Sequence, residues 1–308
     1  MIHIDHLTKL YGSLTALEAL NLDIAAGEIF GFIGPNGAGK TTTMRILATL
    51  LEPSAGRAFI DGLDVGRQGR EVRRRVGYMP DFMGVYDDLK VFEYLEFFAA
   101  AFELPRRQRR KTVQDVLELT DLAGKADAMV DSLSRGMQQR LGLARVLIHD
   151  PKVLLLDEPA SGLDPRARIE LRELLKELRR MGKTIMISSH ILSELEEMCD
   201  HVGIIEQGKL VFSGTMEAIH ERLGLASRYE VRVAGPVEPA AAVLAALPQA
   251  RHVAVVDGVL RVTLQAGLRD EGLIARTLVM AGIDVTGLSA ERLRLDDAFL
   301  HLTKGAVQ

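Results

Sequence analysis

Gly34-Pro35-Asn36-Gly37-Ala38-Gly39-Lys40-Thr41 has the spacing of a phosphate-binding loop: Gly, four residues, then Gly-Lys-Thr. Its glycines admit backbone angles that aim successive N–H groups at one point, and the helix start that follows favours anions. Lys40 would reach the β- and γ-phosphates of a nucleotide and the Thr41 hydroxyl would ligate Mg²⁺, with Thr42 in the same phosphate-facing turn. A second chemistry-bearing stretch is Val153-Leu154-Leu155-Leu156-Asp157-Glu158-Pro159. Asp157 suits Mg²⁺, through water, and Glu158 suits the orientation or deprotonation of an attacking water. In Leu133-Ser134-Arg135-Gly136-Met137-Gln138-Gln139-Arg140, Ser134 reads as a helix N-cap and Gly136 leaves first-turn amides uncovered. Alone, Ser134 reads as a plain N-cap; with Gly136 it offers a second anion site. It has no obvious partner in its own chain, because Lys40 already leads one such site.

These groups need elements to hold them. Short strands are expected at Ile2 to Leu7, Leu17 to Ile24, Glu28 to Ile33 and Arg57 to Ile60, with a helix over Thr41 to Leu51 stopped by Pro53. From about Lys90 to Ile148 the pattern is helical: Val91 to Leu104, Thr112 to Leu119 and Ser134 to Ile148. Val153 to Leu156 is too short for a helix and suits a buried parallel strand, whose carboxyl end is where doubly wound sheets bind ligands. Asp164-Pro165 starts a helix whose buried stripe is expected to include Ile169, Leu171, Leu174, Leu175 and Leu178. Strands follow at Thr184 to Ser188 and Val202 to Ile205, and Lys209 to Phe212 should pair back through Gln207-Gly208. Beyond Leu223 to Ser227 the order becomes β-α-β-β-α-β, ending in a helix over Asp296 to Leu302, which fits a small ferredoxin-like unit.

The 308 residues are 47% hydrophobic and 26% charged, which excludes a disordered or collagen-like chain and suggests two domains. One cysteine, Cys199, excludes an internal disulfide scaffold and suits a reducing compartment; it reads as buried on a helix. A net charge of −4 provides no global basic field, and no nucleic-acid partner is expected. The longest apolar run, Ala240 to Leu247, falls well short of the roughly 18 to 20 residues of a membrane span. The first residues show no secretory signal pattern. Any membrane link would therefore run through a partner. Basic clusters at Arg73 to Arg75 and Arg106 to Lys111 read first as solvated surface, and otherwise as contacts with a partner or anionic headgroups.

The two phosphate motifs, Leu133 to Arg140, Ser161-Gly162-Leu163-Asp164 and His190 after Ser188-Ser189 occur in one order. In that combination the chain resembles the ATP-binding subunit of ATP-binding cassette (ABC) transporters, over about residues 2 to 220. The resemblance implies an α/β phosphate-loop cassette with a RecA-like core, an antiparallel β subdomain and a helical subdomain at about 88–150. Residues 1–224 would form that cassette and 228–308 a C-terminal α+β ferredoxin-like accessory domain, regulatory or dimer-stabilising. It further implies a Mg²⁺-dependent ATPase with ATP held by Gly34, Pro35, Asn36, Gly37, Ala38, Gly39, Lys40, Thr41 and Thr42, and adenine stacked on Tyr11. His190 would hydrogen-bond the γ-phosphate, beside Glu158 and Lys40 in catalysis, and Thr41 and Asp157 would hold Mg²⁺. Two cassettes would pair head to tail, most simply as a homodimer, so that Ser134 and Gly136 of one close over the nucleotide of the other.

Two departures stand out. The family's usual Leu-Ser-Gly-Gly-Gln has Arg135 and Met137 at its third and fifth positions, and the family's Gln after a strand like Gly77 to Pro80 is Asp81. Asp81 is an oxygen ligand suited to Mg²⁺ but one methylene shorter. The single cassette with its extra domain, and Leu295-Asp296-Asp297-Ala298-Phe299-Leu300 near the end, resemble the drug- and polysaccharide-export branch, ABC-2. The expected function is therefore to power an exporter whose membrane subunit is a separate chain docked near Phe82, Met83 and Tyr86. That would place the protein on the cytoplasmic face of the cell membrane through its partner, and in the cytosol when isolated. The alternative is a soluble, non-transport ABC ATPase acting on a macromolecular partner.

Overall fold

The computed structural model describes residues 1–82, 84, 88–196, 198–216, 218–219, 228–256, 258–265 and 271–291. Contacts divide the chain into two compact units, Met1–Thr215 and Met216–Lys304, a break earlier than the boundary read near Leu223 to Ser227.

In the first unit, β1 (Ile2–Tyr11), β2 (Leu14–Ile24), β4 (Ala55–Ile60) and β5 (Leu63–Asp64) form an antiparallel sheet in the order β2-β1-β4-β5. Ile2, Ile4 and Leu7 of β1 turn inward against Leu17, Leu20, Leu22 and Ile24 of β2, the alternation expected of a sheet wet on one face. The second sheet runs β10-β9-β3-β8-β7-β6, built from β3 (Ile29–Ile33), β6 (Val76–Met79), β7 (Val153–Leu156), β8 (Thr184–Ser189), β9 (His201–Glu206) and β10 (Lys209–Thr215). Its pairings are parallel except the β9–β10 hairpin. That hairpin turns through Gln207 and Gly208, both at positive φ, as the sequence leads one to expect. β3 and β7 are buried at every position, which explains their unbroken apolar runs.

Helix α1 (Lys40–Leu47) follows β3, and α2 (Gly69–Arg73) precedes β6. Between β6 and β7 lie α3 (Val91–Ala101), α4 (Arg106–Leu119) and α5 (Arg135–Leu147), packed on one another as the helical part of the unit. α6 (Pro165–Arg180) starts where Asp164 Oδ1 accepts the Ala167 N–H at 2.9 Å, with Pro165 at the first helical position. Its buried stripe is Leu171, Leu175 and Leu178; Ile169 does not join it and is 51% exposed. Two residues correspond to about 200° around a helix, so Ile169 points away from the face that Leu171 begins. After α7 (Leu192–Leu195) comes Cys199, which lies beyond the helix rather than on it. Its Sγ faces Gly31, where a Cβ would stand 3.1 Å away, and burial pushes its thiol pKa upward, as suits an inert group. Of the basic clusters, Arg75 pairs with Asp61 and Arg73 donates to Thr49, while Arg106, Arg107 and Arg110 are exposed on α4.

The second unit contains β11 (Arg228–Val233), α8 (Val237–Ala245), β12 (Ala250–Val256), β13 (Val259–Leu264), α9 (Glu271–Met280) and β14 (Val285–Glu291). The order is β-α-β-β-α-β, with an antiparallel sheet β12-β13-β11-β14, the ferredoxin-like arrangement expected. Tyr229, Val231, Leu260 and Val262 of the sheet bury against Ala240, Leu244, Ile274 and Leu278 of the helices. Asp257 of the β12–β13 turn and the helix expected over Asp296 to Leu302 lie outside the described residues.

Candidate functional site

β6, β7, β8 and β3 lie side by side, and their register aligns their carboxyl ends: Met79 opposes Leu156, Leu156 opposes Ile187, and Ile33 opposes Ser189. The segments leaving those ends are Pro80-Asp81, Asp157-Glu158, His190 and the Gly34–Thr41 loop. One edge of the sheet thus collects groups separated by more than a hundred positions in the chain.

The loop turns at Gly37 and Gly39, with φ of 80° and 110°. Gly39 must also lie close to β2, since a Cβ there would stand 2.8 Å from the Ala16 carbonyl, and a Cβ on Gly34 would collide with the Ile205 carbonyl. Lys40 starts α1, is only 6% exposed, and curls back: its Nζ donates to Gly34 O at 2.6 Å and Pro35 O at 3.2 Å. The same Nζ is 3.4 Å from Glu158 Oε1. Burial lowers the Lys40 pKa, and the carboxylates of Glu158, Asp157 and Asp81 pull it back up. Thr41 and Thr42 are half-buried in the first turn.

Asp157 is buried and accepts a hydrogen bond from Ser188 Oγ at 2.6 Å. The same Oγ accepts the Glu158 N–H at 2.9 Å, so one hydroxyl fixes both acids. Glu158 adopts φ +49°, a left-handed conformation that costs an L-residue roughly 1–2 kcal/mol. Its Oε2 is hydrogen-bonded to His190 Nδ1 at 2.9 Å, while the buried Oε1 accepts no hydrogen bond and faces Lys40. A strained backbone and an acceptor with spare capacity are features of sites built for a ligand. Asp81 is exposed on the same edge. Partial desolvation and the charges of Asp157 and Glu158 raise its pKa, and Arg135 and His190 oppose that rise.

The donors fit a nucleotide phosphate and Mg²⁺. The loop backbone is open at Gly37, where a Cβ would meet nothing within 4 Å, and the nearly buried cation of Lys40 follows at the start of α1. Among the described residues no group of three or more His, Cys, Asp and Glu could hold a metal. Mg²⁺ needs none, because it keeps several waters and takes one or two carboxylates plus phosphate oxygens.

The structure therefore brings Lys40, Asp157, Glu158 and His190 together, with Asp81 in their electrostatic reach. Tyr11 ends β1 opposite Leu14, in the hairpin whose Leu17 packs near Gly39, and its ring lies 5.2 Å from Lys9 Nζ. Ser134 caps α5, accepting the Met137 N–H at 3.4 Å. Its neighbour Gly136 packs on Ala167 and Leu163 rather than on the Lys40 group. Phe82 is 85% exposed, whereas Met83 and Tyr86 lie outside the described residues. Motif spacing misses Ser188 and Gln139, whose Nε2 donates to Pro159 O at 2.7 Å. The signal for Ser188 is a hydroxyl that directly follows the apolar run Ile185 to Ile187 on a buried strand, since a fully buried hydroxyl must find a partner.

A family described as ABC transporter matches residues 17–161. An uncharacterised ABC transporter ATP-binding protein of Nostoc is 41% identical over 71% of this chain, and the match spans 64% of that protein, less than two thirds of its length. The Nod factor export ATP-binding protein I of Paraburkholderia xenovorans is 42% identical over 71% of this chain and 72% of its own. A daunorubicin resistance ATP-binding protein of Streptomyces coeruleorubidus is 37% identical over 98% of this chain and 95% of its own. Among solved structures, a dimeric ATP-binding cassette in a post-hydrolysis state with ADP and Pi is 26% identical, with a TM-score of 0.64 over 70% of this chain and 99% of that one.

Proposed function

Because this chain belongs to the ABC transporter family of ATP-binding proteins, we propose that it is the ATP-hydrolysing subunit of an exporter whose transmembrane subunit is a separate chain. The observation that carries this reading is the convergence of Lys40, Asp157 and Glu158 at the carboxyl edge of a parallel sheet, beside the glycine-rich loop that turns at Gly37 and Gly39. Likeness to proteins named for Nod factor export and daunorubicin resistance supports the export direction. No helix among the described residues is long and apolar enough to cross a membrane, which agrees with a partner supplying the membrane path.

In this reading the loop from Gly34 to Thr42 binds the phosphates of ATP through its free backbone N–H groups, Pro35 having none to give, and Tyr11 stacks on the adenine. Lys40 exchanges its two loop carbonyls for β- and γ-phosphate oxygens. Thr41 and Asp157 would hold Mg²⁺, with Asp81 as a further oxygen donor; when bound, the ion would neutralise phosphate charge. Glu158 accepts the proton of the attacking water as its oxygen bonds to the γ-phosphorus and the bond to the β–γ bridging oxygen breaks. His190 holds Glu158 through Nδ1 and has its other ring nitrogen, Nε2, to hydrogen-bond the γ-phosphate. ADP and phosphate are the products.

Ser134 accepts the Met137 N–H and Gly136 lies against Ala167, so neither contacts the Lys40 group, which supports their acting on the nucleotide of a second copy. Mixing Lys40→Ala chains with Ser134→Arg chains tests this. In mixed dimers one site carries both lesions and the other neither. By random pairing in a two-fold dimer, up to about a quarter of the wild-type rate should return. No recovery, together with no ATP-induced dimer of a Glu158→Gln chain, contradicts shared sites.

The membrane subunit docks on the segment around Phe82, whose exposed ring marks an interaction surface beside Asp81. Phe82→Ser with Met83→Ser should abolish copurification of the membrane subunit and leave the isolated ATPase intact. Loss of ATP binding in that variant would show instead that the segment belongs to the nucleotide site.

A further inference from the structure

The start of α5 is fastened at successive points to the segment that follows Glu158. Gln139 donates to the Pro159 carbonyl, Gly136 lies where a Cβ would meet Ala167 Cβ at 3.3 Å, and Arg140 pairs with Glu170. The remaining point is Arg135, the first residue of α5. Its guanidinium covers Gly162 so closely that a Cβ there would stand within 2.7 Å of Cζ, Nη1 and Nη2. Gly162 has φ +66°, a conformation glycine adopts without penalty. The loop is held at one end by Ser188, which accepts the Glu158 N–H, and at the other by the Asp164 cap of α6. Arg135 covers the bend between them. Among the described residues no carboxylate forms an ion pair with Arg135.

We propose that Arg135 is a positioning residue for hydrolysis: its guanidinium, laid on the Gly162 backbone, holds the loop from Pro159 to Leu163 against α5. The proposal rests on the ATPase reading above. Under that reading the start of α5 serves the nucleotide of a second copy, while Glu158 serves its own. A rigid seam between them keeps the two halves of the reaction centre in one geometry. The flat guanidinium matters, because it can cover a bare glycine peptide with its face; a lysine ammonium is a point charge with no such face. The usual glycine of the family at this position leaves Gly162 uncovered, so the device belongs to this chain's departure from the pattern.

The test uses the full-length chain and reads kcat, KM, binding of a fluorescent ATP analogue and the melting midpoint. Arg135→Lys should lower kcat about tenfold, the scale of a small misplacement at a reacting centre. KM, analogue binding and melting should stay unchanged. Arg135→Gly should lower kcat at least as much, again with KM, analogue binding and melting unchanged, since the exposed first position of α5 accepts either residue. Gly162 is left as it is, because its φ of +66° would strain any side chain there. Full kcat in Arg135→Lys or Arg135→Gly, or a loss of kcat matched by a fall in melting midpoint or analogue binding, would overturn the proposal. A wild-type chain without ATPase activity overturns the ATPase reading and this proposal with it; a wild-type ATPase indifferent to Arg135 overturns only the positioning role.

Discussion

Glu158→Gln should lower ATP turnover by at least about 10²-fold, the usual contribution of a positioned general base. ATP binding should survive nearly unchanged. The substitution keeps volume and shape at a half-buried position and can still hydrogen-bond His190 and face Lys40, but an amide cannot take a proton from water. The backbone strain at Glu158 makes the position specific: the left-handed φ and the Ser188 hydrogen bond aim one carboxylate oxygen at Lys40 and the other at His190. With hydrolysis blocked, ATP should hold two copies together, and light scattering should show a monomer-to-dimer shift on adding ATP. Wild-type phosphate release in this variant would remove Glu158 from the mechanism.

Lys40→Ala should instead weaken binding itself. It removes a nearly buried cation that stands against two loop carbonyls and one carboxylate. Hydrogen bonds from a charged donor are worth about 1.5–3 kcal/mol each, and phosphate replaces the carbonyls as their acceptor. One such bond corresponds to roughly tenfold to a hundredfold in affinity, so two should cost about 10²-fold or more. The same change leaves Glu158 Oε1 without its facing cation, so the apo chain should also melt earlier. Titration with a fluorescent ATP analogue separates the effects. Unchanged affinity in a folded Lys40→Ala chain would contradict the assignment of the loop.

What the amino-acid sequence determines here is whatever acts over a few residues. Gly37 and Gly39 permit their turn wherever the loop lies, Asp164-Pro165 caps its own helix, and Val153 to Leu156 can only be a strand hidden on both faces. Those local patterns were enough to expect a nucleotide-binding α/β fold, the ferredoxin-like unit, and Lys40 with Asp157 and Glu158 as one group, while the cassette and the place of His190 beside them came from the family resemblance. Tertiary structure decided what depends on register between distant strands and on helix faces. Leu156 opposes Ile187, and this puts Ser188 beside Asp157 and Glu158; no feature of either segment alone specifies that hydroxyl as their common anchor. Ile169 has the right residue type for the core stripe, yet the angle between it and Leu171 turns it to solvent. Arg135 reads in isolation as a solvated charge or a phosphate contact, and only the packing of α5 against the loop before α6 lays it over Gly162. Side-chain chemistry and short-range spacing are written in the chain itself, whereas contacts between segments far apart in sequence depend on how sheets and helices align, and that alignment exists only once the whole core is packed.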